Sequence, residues 1–505
     1  MIKLIYRIES DYMSKKRMLI VTSVTLSVVT ISLGIVKLYQ TYALSNYIGT
    51  VTDTGIDVYI NDDSYASIPA NGSSNVYYML TNTNPGTVKY GVAYQTTSGV
   101  TVKVYDTSED PATGTIEEND KKYIKLHLEN KNSTNKTIEL STVLGYENGG
   151  DLVVPSGVTL VTDTYTPPPT AAEYITKLYT TASKTTVTNN SITYNTAPSV
   201  SLMNDRLGGT TTDLDGGNIR YYGASPNNYI YFNCSDYSNQ TSSTCETWRI
   251  IGVFDGKLKL IRGSQIGTYS WDNKDTSTGA ESNFGKNDWT TARLMKLLNP
   301  SDYYTTDSND NNLGQGLYYN SASGKCYSGQ NNATVDCNFT STGIKNDITR
   351  NMIAETTYNL GGWNSNTVYP NLMYEKERGT TVYTGRPTTP WTGKIALAYT
   401  SDYGYAADLN QCKDKTLYDY NNSTCTSNNW MKAIITNNGS NTGWLLTPNS
   451  GDSNYAWFVS SDGYVGNYYH AYYAAGAVPV LSLSSELGIE SGGDGSSSNP
   501  YKLSA

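Results

Sequence analysis

The chain has few charges and very few histidines. Only 16% of its 505 residues are Asp, Glu, Lys or Arg, and the formal net charge of -9 provides no electrostatic footprint for nucleic acid. The only histidines are His127 and His470, and no Cys-x-x-Cys pair occurs. Both absences argue against a zinc site, and the shortage of histidine argues against a histidine general base. We therefore expect no catalytic residue, no metal and no cofactor.

Aromatic residues are used unevenly. The chain has 45 Tyr against 5 Phe, and all Phe, Trp and Cys residues lie between Phe232 and Phe458. The sequence therefore predicts that a second, larger core begins near Asn218. Tyrosine can stand half exposed with its hydroxyl in water, as it does in ligand-binding surfaces. The alternative is that the tyrosines simply cover the outer faces of exposed sheets.

The six cysteines fall into three local pairs. Fifteen connectivities are formally open, but each neighbouring pair brackets a short polar loop. We therefore predict nearest-neighbour disulfides, and such bonds place the folded part outside the cytosol. The predicted pairs are Cys234 with Cys245, Cys326 with Cys337, and Cys412 with Cys425.

The N-terminal segment predicts a membrane anchor. Residues 18–36 carry no charge and follow Lys15-Lys16-Arg17. As a helix they would be about 28 Å long, enough to cross the hydrocarbon core. By the positive-inside rule, residues 1–17 would be cytoplasmic and the C-terminal ectodomain extracellular, on a single-pass protein of the cell membrane. The alternative is a signal peptide cleaved near Ala43, with secretion of the remainder.

The middle of the chain predicts two domains and a connector. Residues 45–162 show alternating apolar runs at short spacing without a convincing helix, which favours an all-β, immunoglobulin-like sandwich. Residues 163–217 form a Pro-rich hinge and connector, with a short helix over Ala171 to Thr181. Residues 218–489 mix strands with helices, predicted over 289–298, 347–360 and 430–435, which indicates an α+β head. Residues 490–505 are Gly- and Ser-rich and predict a flexible tail.

The head also carries a resemblance. Its closing segment, Gly443 to Leu483, reads GWLLTPNSGDSNYAWFVSSDGYVGNYYHAYYAAGAVPVLSL, and it follows Ser401-Asp402-Tyr403-Gly404-Tyr405 and Asn429-Trp430-Met431. This pattern resembles an uncharacterised family of surface or secreted proteins from uncultured Firmicutes. More loosely, it is similar to the end of C-type-lectin-like and formylglycine-generating-enzyme-like domains. The resemblance implies a lectin-like fold for the head. The catalytic cysteines of formylglycine-generating enzymes have no counterpart after Cys425, so that activity is not implied.

The closing segment contains the candidate binding residues. Asp462-Gly463 predicts a two-residue hairpin turn with positive φ at both positions. The Tyr-rich stretch from Gly466 to Ala475 is too polar for a core, and we interpret it as a displayed ligand-binding loop. The residues expected to contact ligand are Trp457, Tyr464, Asn467, Tyr468, Tyr469, His470, Tyr472 and Tyr473.

Neither a calcium site nor a site for glycoside hydrolysis has a clear motif in this sequence. Asp307-x-Asn309-x-Asn311 begins like an EF-hand loop, but Asn312 and Tyr318 stand where glycine and glutamate are required, so a polar loop is favoured. A pair of carboxylates for glycoside hydrolysis has no sequence signature, because its spacing is set in three dimensions.

The sequence thus favours a membrane-anchored surface protein for binding or adhesion, with an extracellular glycan or protein as ligand. A variant of this hypothesis is a diversity-generating receptor, whose variable codons resemble Asn467 to Ala471. The alternatives are an extracellular glycan-active enzyme and a structural envelope protein without a soluble ligand. A cleft with two carboxylates of raised pKa would indicate the enzyme, and self-association would indicate the structural protein.

Overall fold

The computed structural model describes residues 44–52, 55–59, 65–82, 86–145, 152, 154–206, 213–273, 284–303 and 313–504. The chain divides into two compact units, Met1–Pro167 and Pro168–Ala505. The division falls inside the prolines 167–169, which we predicted to be a hinge. Proline restricts the backbone and lacks an N–H donor. Pro-rich segments are common at domain boundaries, which few contacts cross.

The first unit is built of strands. Their bounds are β1 Leu44–Thr52, β2 Gly55–Tyr59, β3 Tyr65–Ile68, β4 Gly72–Asn82, β5 Val88–Gln95, β6 Val100–Tyr105, β7 Thr113–Ile116, β8 Lys121–Asn130, β9 Lys136–Gly145, β10 Val158–Leu160 and β11 Thr164–Tyr165. They form one sheet in the order β11-β6-β8-β4-β1-β2 and a second in the order β10-β5-β9-β3, with β7 paired to β5.

The two sheets of this unit share one core. Tyr78 and Ile124 come from the first sheet, Tyr90 and Ile138 from the second, and all four are fully buried in a single cluster. Alternating apolar residues along each strand point to the same side, which is why the strands bury one face of each sheet. The described part of this unit is all β, as expected for residues 45–162.

The second unit contains the remaining strands. Their bounds are β12 Thr185–Asn189, β13 Ile192–Ala197, β14 Leu202–Asn204, β15 Ile219–Tyr221, β16 Tyr229–Phe232, β17 Glu246–Phe254, β18 Lys257–Arg262, β19 Thr268–Ser270, β20 Ser323–Tyr327, β21 Thr334–Asn338, β22 Thr356–Tyr358, β23 Trp391–Gly393, β24 Ile395–Ala396, β25 Gly443–Pro448, β26 Tyr455–Val459, β27 Val465–His470, β28 Ala474–Gly476, β29 Val480–Ser482, β30 Gly488–Ile489 and β31 Leu503–Ser504.

Two sheets dominate this unit. The larger has the order β12-β13-β14-β15-β17-β18-β29-β24, with β16 paired to β17, and the smaller has the order β19-β28-β25-β26-β27. The turn between β17 and β18 has positive φ at both Asp255 and Gly256, as a type I′ hairpin requires. Five tryptophans, Trp248, Trp271, Trp289, Trp444 and Trp457, are fully buried in this unit. The concentration of large aromatics after residue 231 therefore marks a core, as predicted.

The helices of this unit are short. Their bounds are α1 Ala171–Thr181, α2 Arg293–Leu298, α3 Asp347–Met352, α4 Pro370–Arg378, α5 Thr400–Tyr405, α6 Ser423–Ser427 and α7 Trp430–Ile435, with 3-10 turns at Pro198–Val200, Ser301–Tyr303 and Leu417–Asn421. The predictions for α1 and α7 are confirmed. Thr170 and Glu173 form a capping box that starts α1, and the Asn429 side chain accepts from the Met431 N–H to start α7.

Two predicted helices are too long. The helix expected over 289–298 begins only at Arg293, because Trp289 lies in a turn and is fully buried. The helix expected over 347–360 ends at Met352, and Thr356–Tyr358 then forms β22, paired with β23. The β-branched residues Thr356 and Thr357 pack well on a pleated strand, so the sheet overrides the helical pattern there.

The predicted fold class is wrong in its balance of helix and strand. The structure is mostly β-sheet, with 36% strand and 15% helix. In the described ranges, the helices are all too short or too polar to span a bilayer. The transmembrane helix predicted over 18–36 itself lies outside those ranges.

The C-terminal segment is not the flexible tail that we predicted. β31 pairs with β30, and Tyr501 and Leu503 are buried in the main core of the second unit. The Gln240 side chain donates to the Leu503 carbonyl at 2.6 Å and accepts from the Leu503 N–H at 2.9 Å. The Gly- and Ser-rich stretch therefore serves as a connection that returns two apolar side chains to the core.

The three predicted disulfides are confirmed. Cys234 is bonded to Cys245, Cys326 to Cys337, and Cys412 to Cys425. The second of these bonds links β20 to β21, the two strands of one hairpin.

Candidate ligand-binding site

The Tyr-rich stretch lies on an edge strand of the smaller sheet. β27, Val465–His470, pairs with β26 on one side, and no other described strand pairs with it. The predicted displayed loop over 466–475 is therefore wrong as secondary structure, because most of the stretch belongs to β27 or β28. Hydropathy does not reveal this strand, because tyrosine scores as polar although its ring is well suited to a half-buried strand position.

The turn between β26 and β27 also differs from the prediction. The Ser460 N–H donates to the Tyr464 carbonyl at 2.9 Å, which encloses a three-residue loop. Gly463 has φ of 106°, whereas Asp462 is not among the described residues with positive φ. This is the pattern of a type I turn followed by a glycine in the left-handed region, and not of the expected two-residue turn.

Two of the predicted contact residues are structural. Trp457 is fully buried, and its indole N–H donates to the Trp363 carbonyl at 3.0 Å. Asn467 is also buried, and its carbonyl accepts from the Asn449 side chain at 2.6 Å. A bound ligand cannot reach either side chain without displacing the core, so both predictions are corrected. On the alternating strands β26 and β27 these two residues point inward.

The other predicted residues form two neighbouring groups of rings, which are linked through the buried ring of Phe458. The members of both groups are half-buried or exposed, and we call them together the aromatic band. It consists of Tyr418, Tyr455, Tyr464, Tyr468, Tyr469, His470, Tyr472 and Tyr473, together with Phe284.

One end of the aromatic band is built around Tyr468. The Tyr418 and Tyr464 ring centroids are 5.6 Å apart, and the Tyr464 and Tyr468 hydroxyl oxygens are 2.6 Å apart. The buried Phe458 lies beneath, with centroid distances of 5.4 Å to Tyr468 and 4.9 Å to Tyr469. Phe458 therefore supports the exposed rings from below.

The other end of the band is built around His470. Tyr473 lies 4.6 Å from both Tyr469 and Tyr472, measured between ring centroids. The His470 ring stacks on Tyr472 at 5.3 Å and on Phe284 at 4.8 Å. The contacts thus run from Tyr418 to Phe284, and the buried Phe458 links the two ends of the band.

The band is uncharged near neutral pH. Burial lowers the pKa of His470, with the nearby Asp452 acting in the opposite direction, so its imidazole is neutral. Burial, together with a hydrogen bond to Tyr473, raises the pKa of Tyr472 to about 12, and burial also raises the pKa of Tyr464 and Tyr469. These tyrosines therefore keep their hydroxyl protons. The band presents ring faces and neutral hydroxyl groups.

Three members of the band were missed by sequence reasoning. Tyr455 is the cross-strand partner of His470, while Phe284 and Tyr418 come from segments far away in the chain. Tyr418 lies in the 3-10 turn within the loop closed by Cys412 and Cys425. The predicted hairpin could have identified Tyr455, because partners across a hairpin follow from its turn. The positions of Phe284 and Tyr418 depend on tertiary packing.

Metal binding and glycan hydrolysis each require a particular group of side chains. No group of three or more His, Cys, Asp or Glu residues suited to a metal ion occurs in the described part of the chain. The EF-hand-like segment Asp307 to Asn311 lies outside the described residues. Burial raises the carboxyl pKa of Glu377, whereas for Asp402 the charges of Lys259 and Arg220 outweigh burial and lower the pKa to about 2. Glu377 and Asp402 are therefore not the pair of carboxylates with raised pKa that we expected of a glycan-active enzyme.

Comparison with known proteins adds little to this geometry. No protein-family model matches the chain, and no curated protein gives a significant match. One matching solved structure is the envelope protein VP37 from White Spot Syndrome Virus, with 15% sequence identity and a TM-score of 0.12. The match covers 20% of this chain and 98% of VP37. A TM-score of this size does not establish a shared fold, so the match supports no inference about fold or function.

Proposed function

We propose that this chain is a binding protein that acts outside the cytosol and contacts its ligand through the aromatic band. The observation that carries the proposal is the gathering of partly exposed rings from Tyr418 to Phe284, in which the buried Phe458 links Tyr468 to Tyr469. The three disulfides support the location, because such bonds persist in oxidising compartments.

Exposure of the rings is the main physical argument. Seven large hydrophobic or aromatic residues of the described chain are exposed, and three of them, Tyr418, Tyr468 and Tyr473, belong to the band. Scattered exposed apolar residues are ordinary, but a contiguous patch marks an interaction surface. Tyrosine also loses little conformational entropy on binding, since it has two rotatable side-chain bonds.

The chemistry of the band favours a neutral, hydroxyl-rich or apolar ligand. Ring faces stack on the apolar face of a sugar or on an aromatic side chain, and tyrosine hydroxyls can donate to and accept from polar groups. A glycan and a protein surface both meet this description. We therefore keep both as candidate ligands, as expected from the sequence.

The test is binding by the full-length chain to a glycan array and a protein panel. Tyr468→Ala combined with Tyr473→Ala should weaken binding by at least about tenfold, because truncation of central aromatic anchors costs more than 1 kcal/mol each. Tyr65→Ala is the matched control, since Tyr65 is an equally exposed tyrosine of the first unit, outside the band. The control should bind like the natural chain.

Two outcomes would contradict the proposal. Equal binding by the double variant and the control would show that the band is not the contact surface. Self-association of the full chain that depends on the band, with no ligand on either array, would instead indicate a structural envelope protein. Sedimentation of the same two variants distinguishes this second outcome.

A further inference from the structure

A separate pocket of about 480 Å³ lies beside β16, β17 and α7. Its lining includes Tyr229, Arg249 and Arg262 from the strands, and Trp430 and Ile434 from the helix. It shares no residue with the aromatic band. Its size is within the range of small-molecule sites in proteins.

Arg249 is the distinctive group in this pocket. The residue is only 6% exposed, and its guanidinium carbon lies 3.7 Å from the centroid of the Tyr229 ring and 4.8 Å from the Trp430 ring. Tyr229 is the direct cross-strand neighbour of Arg249, and Trp430 is the first residue of α7. The π faces of the two rings attract the guanidinium, but they do not neutralise its charge.

The hydrogen bonds of Arg249 go to neutral groups. Nε of Arg249 donates to the Asn228 side-chain oxygen at 2.5 Å, and Nη2 donates to the Pro226 carbonyl at 3.2 Å. The Tyr229 side chain is a further hydrogen-bond partner of Arg249. Within the described residues, no carboxylate lies within ion-pair distance of the guanidinium. Burial lowers the pKa of Arg249 to about 10, which still leaves it charged near neutral pH. A buried cation without a counter-ion is costly.

The second arginine of the pocket shows the contrast. Arg262 donates from Nε and Nη2 to the Glu246 carboxylate at 3.0 and 3.2 Å, and from Nη1 to Ser264 Oγ at 2.8 Å. Its charge is therefore matched by Glu246, and its donors are occupied. The net charge contributed by these three groups is a single positive charge, on Arg249.

We propose that this pocket binds a carboxylate-bearing small molecule, with the carboxylate accepting from the guanidinium of Arg249. One uncompensated positive charge matches a monoanion, whereas a phosphate dianion would require a second free cation. Arginine suits the planar carboxylate, and the apolar wall at Ile434 can hold the remainder of a ring. A hexuronic acid is a ligand of this class.

The test uses the full-length chain and three probes at low salt. D-glucuronate carries the carboxylate, D-glucose is its neutral counterpart, and inorganic phosphate is the competing anion. NMR titration should show saturable binding of glucuronate that is at least tenfold tighter than that of glucose or phosphate. Arg249→Met should weaken glucuronate binding at least tenfold.

A second variant covers the case in which Arg249→Met does not fold. Ala433 is exposed and lines the pocket, so Ala433→Trp should fill the pocket from the surface and weaken glucuronate binding at least tenfold. Ser440→Trp, at an exposed position outside the lining, should leave binding unchanged.

Several results would overturn the inference. They are the absence of glucuronate binding, equal binding of glucose, tighter binding of phosphate, and unchanged binding by Arg249→Met or Ala433→Trp. The Tyr468→Ala and Tyr473→Ala double variant should keep the glucuronate response. Loss of array binding with retained glucuronate binding, or the reverse, therefore distinguishes failure at the pocket from failure at the band.

Discussion

Replacement of Asp402 by asparagine removes one carboxylate from a wholly buried set of four charges. Asp402 accepts from Arg220 Nη1 at 2.8 Å and from Lys259 Nζ, and Asp205 accepts from Arg220 Nε at 2.5 Å. Two cations and two carboxylates are thus balanced. In the variant, Arg220 and Lys259 would share only the charge of Asp205. We expect the second unit to lose substantial stability.

The size of the loss can be worked out in two ways. The charges of Lys259 and Arg220, against the effect of burial, lower the pKa of Asp402 from 3.8 to about 2. At 1.36 kcal/mol per pKa unit this corresponds to about 2.5 kcal/mol in favour of the ionised form. Removal of one partner from a buried ion pair costs roughly 3 to 5 kcal/mol. We therefore expect Asp402→Asn to lower the free energy of unfolding by about 3 kcal/mol at neutral pH.

The pH dependence provides an internal check. Because folding lowers this pKa, the contribution of Asp402 is fully present above the unfolded value of 3.8 and is lost as the pH falls through about 2. The difference in stability between the natural chain and the variant should therefore be constant above pH 3.8. It should shrink between pH 3.8 and 2.

The assay is denaturant unfolding followed by tryptophan fluorescence. All eight tryptophans lie in the second unit, so the signal reports on that unit alone. Asp336→Asn is the control, because the Lys325–Asp336 pair is exposed, with side-chain exposures of 53% and 88%. Exposed pairs contribute about 1 kcal/mol or less. Equal effects of the two substitutions, or a loss below 1 kcal/mol for Asp402→Asn, would refute the reasoning.

Three other changes have expected outcomes. Leu503→Ala should lower the free energy of unfolding by about 2 to 5 kcal/mol in the same assay, because Leu503 is fully buried. The control Val335→Ala, at a site that is 40% exposed, should lower it by less than 1 kcal/mol. Similar losses for the two variants would mean that the C-terminal segment is not anchored. Serine at both Cys326 and Cys337 should cost about 2 to 3 kcal/mol, since the bond closes a loop of 11 residues; unchanged stability would contradict this. NMR should show a pKa of His470 below 6.5. Because folding favours the neutral ring, its contribution to stability is present above pH 6.5 and is lost as the pH falls below that value. A pKa at or above 6.5 would contradict the burial of this ring.

Local signals in the sequence were reliable where the structure is also local. The helices α1 and α7 begin where the sequence predicts, at Ala171 and Trp430, directly after the capping residues Thr170 and Asn429. Each disulfide joins cysteines 11 or 13 residues apart, so the pairing followed from proximity in the chain.

Signals that depend on distant partners were misleading. Trp457 occupies a strand position beside the tyrosines, but whether it faces solvent depends on the core packed beneath it, and it proved fully buried. Tyr501 lies in a Gly- and Ser-rich segment that reads as flexible, yet the chain returns to pair with β16 near Ile230. A one-residue change of register would reverse which strand residues face outward, and a single sequence does not specify that register.

The sequence by itself determined the local features of this protein: the sulfur pairs, the capped helices and the abundance of tyrosine. These depend on residues close together in the chain, where geometry is set by covalent connection and short hydrogen bonds. Tertiary structure alone decided that Tyr418 and Phe284 extend the aromatic band, and that Arg249 packs against the Trp430 ring with no carboxylate partner among the described residues. Such groups meet only when sheets and helices pack to bury apolar surface, and that packing brings together residues that are distant in the chain.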